Sequence, residues 1–515
     1  MTERLSAYKN RGKREEYMKR MKAEAVELRK AKKDEHLTKR RNLHDHDEVD
    51  DLELDDLAFE ATDDVLDKLP DIVSALYSED PERIFEATRI SRKILSRKTS
   101  PPIDTFINAN TIPRFVQLLY AESPALQFEA AWVLTNVASG NESQTRAALE
   151  AGISDAFVRL LDSSSPEVVE QVLWGLSNIA GTGAEYRDLL LQMGLLPVLV
   201  KLVESTNSRS LLATAAWCVS NLCRKMGSLP EYKALLPAIP VLTKLVQHDM
   251  VAVASDACWA LSYFTDGSNE RIEAVCRAGA VPPIIKLLRN CTDPSVLIPA
   301  LRVIGNIVTG DDRQTQMVID AGALSALKNR FEVGAEATKK EVIWALSNVL
   351  AGNVVQIEAV LNEGLMEPLI RMLSVGDYKT QLEATWAICN FTCGGTPVQI
   401  SQLFEYDTIA SLCHMLEFVD ARLIKAILDA FGNILRAAQS LDSLPDVMNL
   451  LDEAGFVDRV EMLQMHELEE IYKRAANLLG LYWNDCSDDD EVIDDINPDG
   501  SRRFGIPESF SDIVM

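Results

Sequence analysis

Apolar residues run almost unbroken through Phe128-Glu-Ala-Ala-Trp132-Val-Leu-Thr-Asn136-Val-Ala-Ser-Gly140, and the recurrent polar position is an Asn four residues after a Trp. The pair returns as Trp174 with Asn178, Trp217 with Asn221, Trp344 with Asn348 and Trp386 with Asn390. Trp259 with Tyr263, Arg302 with Asn306 and Asp429 with Asn433 fill the same slots. From 132 through 174, 217, 259, 302, 344 and 386 to 429, every step is 42 or 43 residues. Positions four apart on a helix share one face, one turn above the other.

A fixed period in the forties with helical patterning inside each unit predicts an all-α solenoid of the armadillo or HEAT kind. The punctuation favours the armadillo form, with three helices per unit, one of them short. Ser123-Pro124, Ser165-Pro166 and Asp293-Pro294 each supply an N-cap followed by a first-turn proline. Gly140, Gly181, Gly267, Gly310, Gly352 and Gly394 lie just past the Trp-bearing helix, where a left-handed C-cap is expected. The short helix then ends at Gly152, Gly194, Gly279, Gly322, Gly364 or Gly455. The reading is a right-handed superhelix of about ten repeats over residues 69–484.

Stacked in parallel, the units repeat a row of indoles and a row of carboxamides along the inside of the superhelix. A carboxamide donates and accepts at once, so a row of them suits the main chain of an extended peptide. Parallel indoles leave slots for the aliphatic stems of Lys or Arg and add cation–π attraction of about 0.5–2 kcal/mol each. An Asn buried in every unit without partners costs about 1–3 kcal/mol, and packing alone gives no reason for it.

Charge narrows the ligand. The chain holds 52 Lys plus Arg against 78 Asp plus Glu, a net of −26, while residues 1–43 alone carry 15 basic and 7 acidic residues. The solenoid is therefore anionic, which disfavours nucleic acid and favours a basic peptide. Residues 1–43 are rich in helix formers and end on the basic cluster Lys39-Arg40-Arg41, a copy of the ligand that the groove suits. Residues 44–68 are acidic, with twelve Asp or Glu between Asp45 and Asp67, and read as a flexible tether that lets the cluster compete for the groove. Residues 485–515 open on eight acidic residues between Asp485 and Asp499 and read as a disordered tail. Asp256, Asp266, Asp312, Glu341 and Glu383 read either as solvated charges or as partners of basic side chains.

Nine Cys without a C-x-x-C pair, six His without a triad, no phosphate-cradling glycine loop and no membrane-length apolar run predict no enzyme, no metal, no cofactor and no membrane span. The alternative to a basic-peptide carrier is a generic armadillo scaffold, which needs neither the Asn row nor the basic self-ligand.

Longer motifs resemble the importin-α family over essentially the whole chain. Tyr8-Lys-Asn-Arg-Gly12, Val26-Glu-Leu-Arg-Lys30 and Lys33-Asp-Glu-His-Leu-Thr-Lys-Arg-Arg-Asn42 resemble its importin-β-binding segment. Asp256-Ala-Cys-Trp-Ala-Leu-Ser-Tyr263, Gly305-Asn-Ile-Val-Thr-Gly-Asp-Asp312 and Phe391-Thr-Cys-Gly-Gly-Thr-Pro397 resemble its repeats. The resemblance implies an adaptor that shuttles between cytoplasm and nucleus, binds mono- and bipartite nuclear localisation signals and is autoinhibited by Lys39, Arg40 and Arg41. It implies importin-β as partner of residues 4–42 and an export receptor at the C-terminal repeats and acidic tail. The implied major site is Trp132, Asn136, Ser139, Gly140, Thr145, Gln171, Trp174, Asn178, Thr182, Trp217 and Asn221. The implied minor site is Arg302, Asn306, Val308, Thr309, Thr315, Glu341, Trp344, Ser347, Asn348, Glu383, Trp386 and Asn390. One departure stands out: the family places an Asp four residues after the Asn of the third repeat, where it meets a signal lysine, and this chain has Thr182. Weaker or altered lysine preference follows, with Glu185 or backbone groups of Gly140 and Thr145 as compensating partners. The segment Glu16-Tyr-Met-Lys-Arg-Met-Lys22 is also less basic than the family's arginine run, which implies weaker importin-β binding.

Overall fold

A computed structural model describes residues 39–40, 62–97, 100–417 and 421–483. The described residues are helices joined by short turns, plus an isolated bridge between Met226 and Ser228. Ten long helices stack on one another in chain order. They are α1 (Pro81–Leu95), α2 (Pro124–Ala138), α3 (Pro166–Ala180), α4 (Arg209–Cys223), α5 (Val251–Thr265), α6 (Pro294–Ile307), α7 (Glu336–Leu350), α8 (Tyr378–Gly394), α9 (Ala421–Ser440) and α10 (Glu469–Tyr482). The Trp and Asn slots lie on α2 to α8, and the last echo, Asp429 with Asn433, lies on α9. These helices are apolar on nearly every side because neighbours sandwich them; in α2, Ala130, Ala131, Val133, Leu134, Val137 and Ala138 are all buried. Between α2 and α8 most junctions hold two shorter helices, such as Glu142–Glu150 and Ile153–Leu160.

The predicted N-caps form. Ser123 and Ser165 accept from the main-chain N of Leu126 and Val168, Asp293 accepts from Ser295, and each helix opens on proline. Losing such a cap costs about 1 kcal/mol. A helix over Thr62–Leu76 begins inside the stretch read as acidic tether. Its apolar positions Leu66, Leu69, Ile72, Val73 and Leu76 keep the helical period despite the surrounding charge, and Ile72 and Leu76 are buried.

The glycine expectation is overturned in part. Gly181 is right-handed at φ −78, and the left-handed glycines are instead Gly152, Gly194, Gly279, Gly322, Gly364 and Gly455, between the short and middle helices, with Gly227 in a loop. Glycine after the long helix has a steric cause: a Cβ on Gly140, Gly310 or Gly352 would collide with the carboxamide of Gln144, Gln314 or Gln356. Those glutamines, with Gln399, close capping boxes on Asn141, Asp311, Asn353 and Thr396. Their amides also reach back one unit: Gln144 to Asp104, Gln314 to Asn269 O, Gln356 to Asp312 O and Gln399 to Val354 O.

One junction breaks the pattern. After α4 the chain runs through an irregular loop at residues 224–231 to a four-residue helix, Tyr232–Leu235. Fully buried Arg187 holds the loop, donating to Arg224 O at 2.7 Å and Ser228 O at 2.9 Å. Cys218, Cys223, Cys258, Cys276, Cys389 and Cys413 are buried free thiols, and burial pushes Cys218 and Cys223 up to about 12, which leaves them unreactive near neutral pH. Among the described residues no helix is long and apolar enough to cross a membrane.

Candidate peptide-binding groove

Successive long helices bring the Asn residues into a row with a shared structural duty. Nδ2 of Asn178, Asn221, Asn306, Asn348 and Asn390 donates to the carbonyl of Thr135, Ser177, Ser262, Gly305 and Ser347, each 43 or 44 residues earlier on the preceding long helix. Asn136, near the start of the row, donates to Ser96 Oγ at 2.9 Å. The supposition that packing gives no reason for a buried Asn in each unit is therefore wrong. Each carboxamide ties one helix to the next, and that of Asn178 also meets Arg40.

Asn178 displays both duties. Its Oδ1 accepts from the main-chain N of Arg40 at 2.8 Å, and its Nδ2 donates to Arg40 O at 3.0 Å as well as to Thr135 O at 3.2 Å. Trp174 Nε1 donates to the same Arg40 carbonyl at 2.8 Å. Two side chains thus satisfy both polar main-chain atoms of a single extended residue without reading its identity. The Arg40 guanidinium lies 4.4 Å above the Trp217 ring, with its Nη2 3.6 Å from Oδ2 of buried Asp256. Lys39 enters a pocket beside it, where Nζ donates to Gly140 O at 2.7 Å and Thr145 Oγ1 at 3.0 Å.

No carboxylate reaches the Lys39 ammonium within ion-pair distance among the described residues. Thr182 Oγ1 donates to Asn178 O in its own helix at 2.9 Å and stands 3.5 Å from Thr145 Oγ1. Glu185 faces Arg146 at 3.8 Å, so it is not the compensating partner; the Gly140 carbonyl and the Thr145 hydroxyl are. Burial without a facing acid lowers the Lys39 amine from 10.5 to about 8, and the field of Glu142 opposes this only in part.

The other expected residues of this stretch are nearby. Ser139 Oγ donates to Asn136 O at 2.7 Å, and Gln171 is buried with its main-chain carbonyl accepting from Thr135 Oγ1 at 3.1 Å. The indoles are less open than their spacing suggests: Trp132 is 8% exposed and Trp217 1%, while Trp174 is half-buried. The Arg92 guanidinium, 4.5 Å from the Trp132 ring centroid, covers one; docked Arg40 covers the other.

In the second stretch, Asn306 also donates to Thr265 Oγ1 at 3.2 Å, Thr309 Oγ1 to Asn306 O at 2.6 Å, and Thr315 Oγ1 to Val308 O at 3.4 Å. Trp344 is buried against α6, where a Cβ on Gly305 would collide with its ring. Ser347 receives the Asn390 amide on both its carbonyl and its hydroxyl, and Oδ1 of Asn390 is a buried acceptor with no partner among the described residues. Trp386 is buried and Glu383 half-buried. Between the stretches, Arg302 lies 5.1 Å over Trp259 with Nη2 3.5 Å from Glu341, and Trp259 stacks on buried Tyr263. Arg41 lies outside the described residues, as do most of the N-terminal segment and the acidic C-terminal tail.

The sequence of this chain matches the model of the importin beta binding domain over residues 4–89. Armadillo/beta-catenin-like repeats match at 99–139, 141–181, 183–224, 268–309, 311–351 and 353–392, and an atypical Arm repeat at 445–497. The interval left between 224 and 268 contains the irregular loop and α5. Importin subunit alpha-3 of Arabidopsis thaliana is 38% identical over 98% of this chain and 96% of its own length. Importin subunit alpha-1a of Oryza sativa subsp. japonica is 41% identical over 95% and 94%. Importin subunit alpha-B of Dictyostelium discoideum is 40% identical over 97% and 96%. Among solved structures, an engineered protein superposes with a TM-score of 0.72 at 28% identity, covering 80% of this chain and 98% of that one. Identity of this order, sustained across nearly the whole chain, does not arise between solenoids that share only a repeat, and the chain belongs to the importin subunit alpha family.

Proposed function

We propose that this nuclear import adaptor holds basic nuclear localisation signals in two stretches of one groove and that its own Lys39, Arg40 and Arg41 compete for the first. The observation supporting the reading is the pairing of Asn178 with both main-chain polar atoms of Arg40, while Lys39 and Arg40 send their stems into a carbonyl-lined pocket and onto an indole. The first stretch runs over Trp132, Asn136, Trp174, Asn178, Trp217 and Asn221. The second runs over Asn306, Trp344, Asn348, Trp386 and Asn390, with Asn390 Oδ1 as an acceptor for a ligand amide. Arg302 and Tyr263 interrupt the row between them, so a signal with two basic clusters spans the gap.

The adaptor performs no chemistry. Importin-β takes the N-terminal segment, which removes the competitor and commits cargo to entry; release of that segment inside the nucleus restores it. The C-terminal repeats and the acidic tail meet an export receptor, and the chain shuttles between the two compartments. A generic scaffold role leaves the importin beta binding match without a purpose.

The test is fluorescence anisotropy of a labelled bipartite basic peptide against the full chain and against Lys39→Ala/Arg40→Ala. Self-competition predicts at least fivefold tighter binding to the substituted chain, with weaker binding to both as salt rises. Equal affinities would reject the competitor; no binding to either would reject the groove.

A further inference from the structure

The arrangement around docked Arg40 occurs twice more with arginines that belong to the solenoid itself. Arg40 lies 4.4 Å over Trp217 beside the buried carboxylate of Asp256. Arg302 lies 5.1 Å over Trp259 beside Glu341. Arg92 lies 4.5 Å over Trp132 with its Nε 2.7 Å from Glu129 Oε2, and both members of that pair are buried. In each case a guanidinium is sandwiched between an indole face and a buried acid, the combination that suits a planar, weakly hydrated cation.

The positions of the two intrinsic arginines matter. Arg92 sits in the last turn of α1, one unit before Trp132, and Arg302 sits on α6, one unit after Trp259. They enclose the run Trp132, Trp174, Trp217, Trp259 from its two ends. Arg92 belongs to the helix before Trp132 and Trp174 to the helix after it, so Arg92 covers Trp132 from the end of the run. A ligand that displaced it would strand a buried guanidinium or a buried carboxylate, which costs far more than an exposed pair is worth.

We propose that Arg92 is a specificity-determining residue: an internal stand-in for a ligand arginine that ends the first stretch at Trp132 and sets how many consecutive basic residues it can take. This rests on the groove reading above. The ligand class it selects is a short basic cluster rather than a long polybasic tract, because residues beyond the closed face gain no indole and no buried acid.

The experiment uses the full chain carrying Lys39→Ala/Arg40→Ala, so that its own cluster does not compete, and three labelled peptides: a four-residue basic cluster in a neutral frame, and the same cluster lengthened by one lysine at either end. With Arg92 present, lengthening should change Kd less than twofold. With Arg92→Ala, one of the two longer peptides should bind at least fivefold tighter than the short one. Arg92→Met removes the same charge but keeps a stem over the ring, and should leave the gain below twofold. If Arg92→Ala does not fold by circular dichroism, Arg92→Ala/Glu129→Gln removes the stranded acid and opens the same face; the longer peptide must still gain more than on the Arg92 chain. Equal gains with and without Arg92, or an equal gain in Arg92→Met, would overturn the proposal. Failure of the short peptide to bind any of these chains would instead refute the groove itself, and the proposal with it.

Discussion

Replacing Thr182 by Asp tests how the lysine pocket works. Lys39 Nζ is 3.0 Å from Thr145 Oγ1, itself 3.5 Å from Thr182 Oγ1, so a carboxylate at position 182 faces the same pocket as the ammonium at a separation of about 5 Å. Two unit charges about 5 Å apart at an effective dielectric of about 20 attract by roughly 3 kcal/mol. Desolvation of the new carboxylate and the partial exposure of the site halve this, leaving about 1.5 kcal/mol, or about tenfold in Kd. The assay is anisotropy of a basic peptide on chains carrying Lys39→Ala/Arg40→Ala, with and without Thr182→Asp. About tenfold tighter binding is expected. On the chain with its own cluster intact the gain should be smaller, because Lys39 profits from the same carboxylate and competes harder. Affinities within twofold on the substituted background would show that the pocket reads hydrogen-bond geometry alone and that a facing acid adds nothing.

Other expectations follow from the same geometry. The docked lysine sits at about 8 against 10.5 free, so docking sheds a proton between those values. On the chain carrying Lys39→Ala/Arg40→Ala, binding of a peptide with one lysine for this pocket and arginine elsewhere should be flat below about pH 8 and tighten by more than about tenfold from there towards pH 10, and Thr182→Asp should flatten the profile; an unchanged Kd from pH 7 to 9.5 on that chain would contradict the burial argument. Gly305→Ala should push the Trp344 ring off α6, cost about 1–3 kcal/mol locally and weaken a peptide confined to the second stretch while sparing the first; intact binding at the second stretch would show that the ring has room to move.

Much of this architecture is legible because a solenoid repeats its solution. The 42- or 43-residue step finds the long helices, and Ser-Pro and Asp-Pro pairs mark where three of them begin. The Trp and Asn slots also mark the groove that holds Lys39 and Arg40. What stays hidden depends on contacts between units, which no local pattern encodes. Asn221 and its counterparts look spare in one helix and become ties only when the preceding carbonyl arrives. Arg92 lies outside the repeating motif, and its place over Trp132 depends on how α1 meets α2. Gly140 reads as a position of backbone freedom, yet the cause is the carboxamide of Gln144 folding back on it. That glutamine was within reach of sequence reasoning, since Asn141-x-x-Gln144, Asp311-x-x-Gln314 and Asn353-x-x-Gln356 are capping-box signatures in register with the tryptophans. The loop at 224–231 has no such signature, and there the regular short helix shrinks.

Asn178 splits one amide between Thr135 O, inside the stack, and Arg40 O, outside it. Holding the docked Arg40 and fixing one unit on the unit before it therefore draw on the same hydrogens. A long spring whose joints double as its fingers changes its hold when it is bent: any partner that flexes the superhelix alters the angle at which those amides point, and can loosen a signal without ever touching it.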